Sequence, residues 1–429
     1  MEKVDMFSNE NIECLLDNIK LSEIGIDRKK IKSELLNPQV QSEILKETTN
    51  IKINGAILVK NQESRINKAI ESIIDFCDEV YVFDTGSTDK TIDTVRNANY
   101  DSVILNEVAW EENYAYMRNY VDENTPEGWL FIIDSDEELL SSSIKSPEFL
   151  IFELAVLSTL IKTDDIAIRF RQVFNEDNEV NWPTRLYKKS DTASFFGFVH
   201  EELRSKNDIT YIPTTITVIN HGTLPDELVK FDKEKRYYNL LRKNILIEEN
   251  NMQWYALLPF DRVIKEEKNW FAQKLEYYAN EILNRKIESA FNERLLISYI
   301  KYLMSEYRLN EAIELADKAI TMYPENPDFI YLKYVNRLNI IEKDLLYMIE
   351  DFRDETDKLK DVRNGKEEWL AYNALELLPD VMIKILTKAE YYDYAMELLK
   401  DVNVKVGKHN LIQPEIDFYN KYLKEKSKH

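Results

Sequence analysis

The sequence predicts two kinds of structure in one chain: an α/β domain with a mainly parallel sheet, followed by an all-α half. Three observations predict this. Between residue 51 and about residue 223, apolar runs of strand length alternate with stretches of helical spacing, which is the texture of βαβ units. From about residue 226 onward the spacing is helical, and only Gly365 and Gly407 of the chain's 8 glycines fall there. Within that half, Ala312, Ala316, Ala319 and Pro324 lie 4, 3 and 5 apart, a small-residue spacing that lets paired helices approach closely.

The elements follow in order. Residues 1–50 are polar with helical spacing at Ile12, Leu15, Leu16 and Ile19, and again at Ile31, Leu35 and Leu36. We read two helices there. Their apolar faces must cover either the next domain or a second subunit. Residues 51–225 form the α/β domain. Its first strand is Ile53–Val59, and Ser64 is the expected cap of the helix carrying Ile66, Ile70, Ile73 and Ile74. A second strand, Glu79–Asp84, ends in Thr85-Gly86-Ser87-Thr88-Asp89, and a helix follows through Val95. A short strand over 102–105 and a helix over about 113–123 lead to the strand Trp129–Asp134. After a helix near 147–162, strands are expected over 165–174, 183–188, 195–203 and 209–219. Residues 226–429 are a helical connector and repeat region. The alanine and proline spacing matches the tetratricopeptide unit of about 34 residues. Weaker copies stand at Tyr391–Leu399 and from Trp254.

Composition excludes several functions. Lys+Arg is 56 and Asp+Glu is 78, giving a formal charge of −22. That argues against nucleic acid as a partner, because such binding rests on basic side chains neutralising phosphates. Average usage would give about 30 glycines, and none of the 8 present fits G-x-G-x-x-G or G-x-x-x-x-G-K-[ST]. Both motifs need closely spaced glycines for backbone approach to phosphate. The longest apolar run, Phe149 to Ile161, is interrupted by Glu153 and is too short for stable membrane insertion. Cys14 and Cys77 make no disulfide framework, and Cys77 reads as a buried, inert thiol. With no apolar signal segment at the N-terminus, the expectation is a cytoplasmic protein.

The chemistry gathers at strand ends. Asp134-Ser135-Asp136 closes an apolar strand, where open α/β sheets bind ligands. Two carboxylates two residues apart can turn toward one hard cation, which would bridge a diphosphate. A lone D-x-D is a weak signal. Here, however, Asp84 ends another strand and can accept from a base N–H or a ribose hydroxyl. Gly86 permits a tight turn after it, and Ser87 or Thr88 can cap the next helix. Lys60-Asn61-Gln62-Glu63-Ser64-Arg65 ends the first strand. Three polar clusters thus share one sheet edge.

These segments, Ile57 to Glu63 with Arg65-Ile66, then Val82 to Thr91, then Asp134-Ser135-Asp136, resemble family 2 glycosyltransferases with the GT-A (Rossmann-like nucleotide-sugar) fold. Trp110 to Asn119, Phe198-Val199-His200-Glu201-Glu202 and Asn220-His221-Gly222, followed by tetratricopeptide-like helices, are similar to one subgroup. That subgroup is the sublancin/thurandacin-type (glycocin) peptide S-glycosyltransferases, which move a sugar from a UDP-sugar to a cysteine of a bacteriocin precursor. The V-H-E motif and the helical repeat are shared with transferases of the lipopolysaccharide core, which keeps a cell-surface glycan, or a peptide Ser or Thr, as alternative acceptors. A tetratricopeptide-type peptide-binding scaffold is the alternative outside enzymes.

The resemblance implies roles. Asn61, Glu63, Asp84, Gly86, Ser87, Arg118 and Asp134 would bind the nucleotide sugar, with Asp84 reading the uracil and Asp134 the ribose or metal. Asp134 and Asp136, with His221 downstream, would hold Mg²⁺ or Mn²⁺, since neutral imidazole suits Mn²⁺. Lys60 departs from the family pattern and either contacts a phosphate or points to solvent. Inverting transfer needs a base for the acceptor proton, and Glu201 or His200 can serve; the same turn also reads as a pocket wall. The reading is a metal-dependent, inverting transferase with UDP-glucose favoured as donor and a precursor peptide as partner. The helices of 1–50 and the apolar repeat admit a homodimer.

Overall fold

The computed structural model describes residues 6–20, 25–161, 163, 165–174, 180–222, 233–358, 374–401 and 412–417. His409 and His429 lie outside the described residues. The chain forms two compact units, Met1–Asn250 and Asn251–His429.

The first unit is built on a nine-stranded mixed sheet. Its strands are β1 (Ile53–Val59), β2 (Glu79–Asp84), β3 (Val103–Glu107), β4 (Trp129–Asp134), β5 (Glu137–Leu139), β6 (Ile166–Phe174), β7 (Val180–Asn181), β8 (Thr184–Lys188) and β11 (Thr210–Asn220). β9 (Ala193–Phe196) and β10 (Glu202–Ser205) form a separate hairpin. The order is β3-β2-β1-β4-β8-β6-β11-β5, with β7 on β6. β1, β2, β3 and β4 pair in parallel, and β8 enters antiparallel to both β4 and β6. A parallel half followed by a more antiparallel half is what the sequence led us to expect.

Both faces of the central strands are covered, so these strands read as continuous apolar runs. Along β4, Trp129, Phe131 and Ile133 point into one core, and Leu130 and Ile132 into another. The larger core takes in α1 (Asn9–Asn18), α2 (Arg28–Leu35), α3 (Pro38–Glu47), α4 (Ile66–Ile73) and α7 (Pro147–Leu160). The other lies under α6 (Tyr114–Glu123) and the hairpin. α5 (Thr91–Ala98) links β2 to β3.

The N-terminal segment holds three helices, not two, because Asn37 caps a new helix at Pro38. Of the two surfaces open to their apolar faces, they cover the sheet domain. Ile12, Leu15, Leu16, Leu35 and Ile44 are buried in its core. Asn18 donates to Glu153 Oε1 at 2.7 Å, and Ile19 bridges to Thr214 on β11. α8 (Lys233–Ile247) also belongs to this unit, which therefore runs beyond residue 225.

Three local expectations change. Ser64 caps nothing: α4 starts after Arg65 with no side-chain cap. Neither Ser87 nor Thr88 caps α5; Asp89 Oδ1 accepts from Thr91 N at 3.0 Å instead. The expected strand 195–203 is two strands joined by a turn, where Gly197 and His200 take positive φ of 110° and 53°.

The second unit contains α9 (Met252–Leu257), α10 (Lys268–Leu283), α11 (Asn292–Ser305), α12 (Leu309–Met322), α13 (Pro327–Asp357), α14 (Ala374–Lys388) and α15 (Tyr392–Asp401). Successive helices pack on one another from α9 to α15. Ala312, Ala316 and Ala319 are fully buried on α12, between α11 and α13. The segment from Trp254 is not one helix, because Pro259 separates α9 from a short 3-10 turn at Phe260–Arg262. Among the described residues, no helix is long and apolar enough to cross a membrane.

Candidate active site

Strand register brings the sequence-predicted carboxylates together. Val59 at the end of β1 pairs with Asp84, and Leu58 pairs with Asp134. The two aspartates therefore flank β1 at the C-terminal edge of the parallel strands. A cavity of about 550 Å³ opens there. Lys60, Gln62 and Thr85 line it from the first two strand ends; Asp134, Ser135 and Asp136 line it from β4. Arg118, His200, Glu201, Asn220 and Gly222 close it from the other side.

The loops after β1 and β2 are stitched to each other. Asn61, at φ 54°, donates its N–H to Ser87 Oγ at 2.8 Å, and its Oδ1 accepts from Thr88 N at 2.7 Å. Glu63 N donates to Asp89 at 3.2 Å, and Glu63 Oε2 accepts from Lys90 N at 2.9 Å. Asn61, Glu63 and Ser87 thus shape the turn. Asp84 is buried. Its Oδ1 accepts from Gly86 N at 2.9 Å and Ser87 N at 2.7 Å, and Gly86 supplies the φ of 96° that the turn requires. Among the described residues, buried Asp84 Oδ2 has no hydrogen-bond partner, an acceptor that a base N–H would satisfy.

A chain of ion pairs crosses the cavity floor. Arg118 donates from Nη2 to Asp134 Oδ1 at 2.7 Å and from Nε to Glu201 Oε1 at 3.1 Å. Arg185 donates from Nη2 to Asp134 Oδ2 at 2.6 Å and to Glu137 Oε1 at 2.6 Å. Gln172 also donates to Glu137 Oε1, and Asp134 N donates to Glu137 Oε2 at 3.0 Å. Both arginines and Glu137 are buried. Burial works against ionisation of Asp134, but the charges of Arg185 and Arg118 outweigh it and hold its pKa at about 2. Arg118 and Asp134, both expected from the sequence, meet here. Arg185 and Glu137 were missed. Their only signal in sequence is a charged residue inside an apolar strand (Arg185 beside Leu186 and Tyr187) and an acid one step past the D-x-D.

An aromatic wall stands above Glu201. Trp110 and Tyr114 meet edge to face at 4.9 Å, and Tyr114 meets Tyr237 at 6.3 Å. The Arg236 guanidinium lies 4.8 Å from the Trp110 ring and 5.3 Å from that of Tyr114. The His200 ring lies 6.0 Å from Tyr237 at the rim. Of the two expected bases, it is Glu201 that the fold ties to Asp134. Burial raises the pKa of both Tyr114 and Tyr237, so both hydroxyls stay protonated at neutral pH.

The expected metal residues divide. Each oxygen of Asp134 accepts from an arginine, Oδ1 from Arg118 and Oδ2 from Arg185. Asp136 and His221 are neighbours. His221 N donates to Asp136 O at 2.8 Å, and their side chains share a pocket of about 140 Å³ with Glu138, Arg65 and Lys68. His221 Nε2 lies 3.4 Å from Glu138 Oε2. Among the described residues, no three His, Cys, Asp or Glu side chains converge as a metal cluster. A carboxylate oxygen beside an imidazole nitrogen nevertheless suits Mn²⁺ or Mg²⁺ when phosphate oxygens complete the shell. The donor set of Asp136 and His221 fits such an ion.

No family model matches the chain. The SPbeta prophage-derived glycosyltransferase SunS of Bacillus subtilis (strain 168) is 24% identical over 370 residues, covering 84% of this chain and 81% of SunS. An uncharacterized glycosyltransferase of Rickettsia bellii is 26% identical over 174 residues, 37% of this chain and 55% of that protein. Among solved structures, Staphylococcus aureus TarS 1–349 aligns over 67% of this chain and 90% of its own, at 13% identity and a TM-score of 0.33. With these relatives and strand ends that converge on one cavity, the chain is a glycosyltransferase. Its similarity to SunS extends over most of both proteins, beyond the sheet domain alone.

Proposed function

We propose that this glycosyltransferase moves a hexose, with inversion, from a UDP-sugar (UDP-glucose favoured) to a cysteine side chain of a ribosomally made bacteriocin precursor. The observation that carries the reading is Arg118, which ties Asp134 on the donor strand to Glu201 on the opposite wall of one cavity. Similarity to SunS and to the peptide S-glycosyltransferase motifs supports the peptide acceptor. The unpartnered Asp84 Oδ2 is the acceptor for the uracil N–H. Thr85, Lys60 and Gln62 line the path from there toward the diphosphate.

Asp136 and His221 would hold the divalent metal, which would supply positive charge to offset that of the departing diphosphate. Glu201 takes the acceptor proton as the acceptor sulfur bonds to the anomeric carbon and UDP leaves with the old bond's electrons. A thiol needs little help here, because its ordinary pKa is about 8.5. The second unit is read as a tetratricopeptide-like array that receives the peptide, since stacked helical repeats present concave surfaces.

The test is incubation of the protein with UDP-glucose, Mn²⁺ and cysteine-containing precursor peptides, read by mass spectrometry. A hexose added at cysteine, abolished by Asp136→Ala in a folded protein, supports the reading. No added sugar from any UDP-hexose on any peptide defeats the peptide assignment.

A further inference from the structure

Arg185 lies in none of the motifs that point to a transferase, yet it sits at the centre of the site. It stands on β8, which pairs antiparallel with β4 through Phe131 and Leu186. That pairing sets its guanidinium against Asp134 Oδ2 and Glu137 Oε1, each at 2.6 Å. Arg118 holds the other oxygen of Asp134 and, through Nε, Glu201 Oε1. The result is a chain in the order Glu137, Arg185, Asp134, Arg118, Glu201. Two cations face three carboxylates, a formal balance of 2 − 3 = −1.

The three carboxylates are not equally held. Glu137 is bonded by Arg185, by Gln172 and by Asp134 N. Asp134 is bonded by both arginines. Glu201 has a single arginine contact, from Nε. Glu201 is thus the least-bonded carboxylate of the three, and it lines the cavity. With Asp134 clamped at both oxygens, the Arg118 guanidinium has one orientation, and so does Glu201. Without Arg185, Asp134 can rotate, and Arg118 turns with it.

We propose that Arg185 is a positioning residue for transfer: by clamping Asp134 it fixes Arg118, and through Arg118 it aims the Glu201 carboxylate at the acceptor proton. This rests on the transferase reading above with Glu201 as the base. The step it serves is balanced: the acceptor's S–H proton passes to Glu201, the S–C1 bond forms, and the C1–O bond to UDP breaks. Arg185 itself is not among the residues that line the cavity.

The experiment compares Arg185→Gln, Arg185→Lys and the double variant Glu137→Gln/Arg185→Gln. UDP affinity is measured by calorimetry, and turnover as UDP released from UDP-glucose with and without a cysteine peptide. The double variant removes the buried charge that Arg185→Gln would leave on Glu137, so a fold is kept even where the single variant fails. We expect the double variant to bind UDP within about twofold of the unmodified chain and to lose kcat roughly tenfold to hundredfold, the scale of a misaimed catalytic group. KM for the peptide should stay near its original value, and Arg185→Lys should recover part of kcat. Recovery of full kcat in the double variant overturns the inference, because Arg185 would then serve only to neutralise Glu137. A loss confined to UDP affinity also overturns it, making Arg185 a donor contact. No UDP release by the unmodified chain with any UDP-hexose brings down the transferase reading itself, and this inference with it.

Discussion

Gly222 leaves open the space that the Asp136 carboxylate fills. A Cβ built on Gly222 would lie 1.9 Å from Asp136 Oδ2 and 2.8 Å from its Cγ. The glycine is required here by close approach, and its N–H is used by Asn220 Oδ1 at 2.8 Å. β11 thus ends where β4's D-x-D loop needs room, and the chain reversal at Asn220-His221-Gly222 sets His221 beside Asp136.

The first prediction follows from that contact. Gly222→Ala should push the Asp136 carboxylate out of the pocket it shares with His221. Metal affinity in the presence of UDP should fall roughly 10- to 100-fold, the cost of disturbing a ligand's support. Calorimetric titration of Mn²⁺ into the protein with UDP reads this directly, and an unchanged affinity would remove Asp136 from the metal site.

His221→Ala tests the second ligand separately. The imidazole is half-buried, and the bond from His221 to Asp136 O is made by the backbone N–H and not by the ring, so removing the ring should leave the loop in place. The expected outcome is weaker Mn²⁺ binding with UDP affinity in EDTA unchanged. Equal Mn²⁺ affinity in the two proteins sinks the assignment.

Asp84→Ala should cost both stability and donor affinity. The side chain holds Gly86 N and Ser87 N through one oxygen. Losing two such charge-assisted bonds should lower the free energy of unfolding by about 2–3 kcal/mol, measured in urea. UDP affinity should drop at least about tenfold. Intact UDP binding in a destabilised protein would make Asp84 a turn residue only.

Glu153 predicts a pH dependence of stability. It is buried on α7, and burial raises its pKa from 4.5 to about 8, against a smaller lowering by the Asn18 hydrogen bond. Below pH 4.5 the carboxyl is protonated in both folded and unfolded chains, and its contribution is fully present. Between 4.5 and about 8 the unfolded chain loses the proton while the folded chain keeps it, so stability falls as pH rises. Glu153→Gln carries no proton to lose. Its stability relative to the unmodified chain should therefore increase between pH 5 and pH 8 by a few kcal/mol at most, given about 1.4 kcal/mol per unit. Parallel urea curves at the two pH values with a constant difference would show that Glu153 is ionised in the fold.

Much of the site was legible because it is local. Asp84, Gly86, Asp134 and Asp136 each announce themselves by standing just past an apolar strand. What was not legible is the use made of neighbouring groups. Asn61, Glu63 and Ser87 bond across two loops that are about 26 residues apart in the chain. No periodicity reveals such a pairing. Asp134 is also the shared partner of two arginines, because β8, inserted beside β4, brings Arg185 to it from 51 residues away.

The sequence alone determined that an α/β sheet precedes a helical half, that neither glycine-rich phosphate motif is present, and which strand ends carry acids. Those features depend on periodicity and on residues within one strand and its turn. Only the tertiary structure decided which acid pairs with which base, that the N-terminal helices cover the sheet, and that two arginines share Asp134. These depend on strand order and register, and a buried charge is defined by the partner that the fold brings to it.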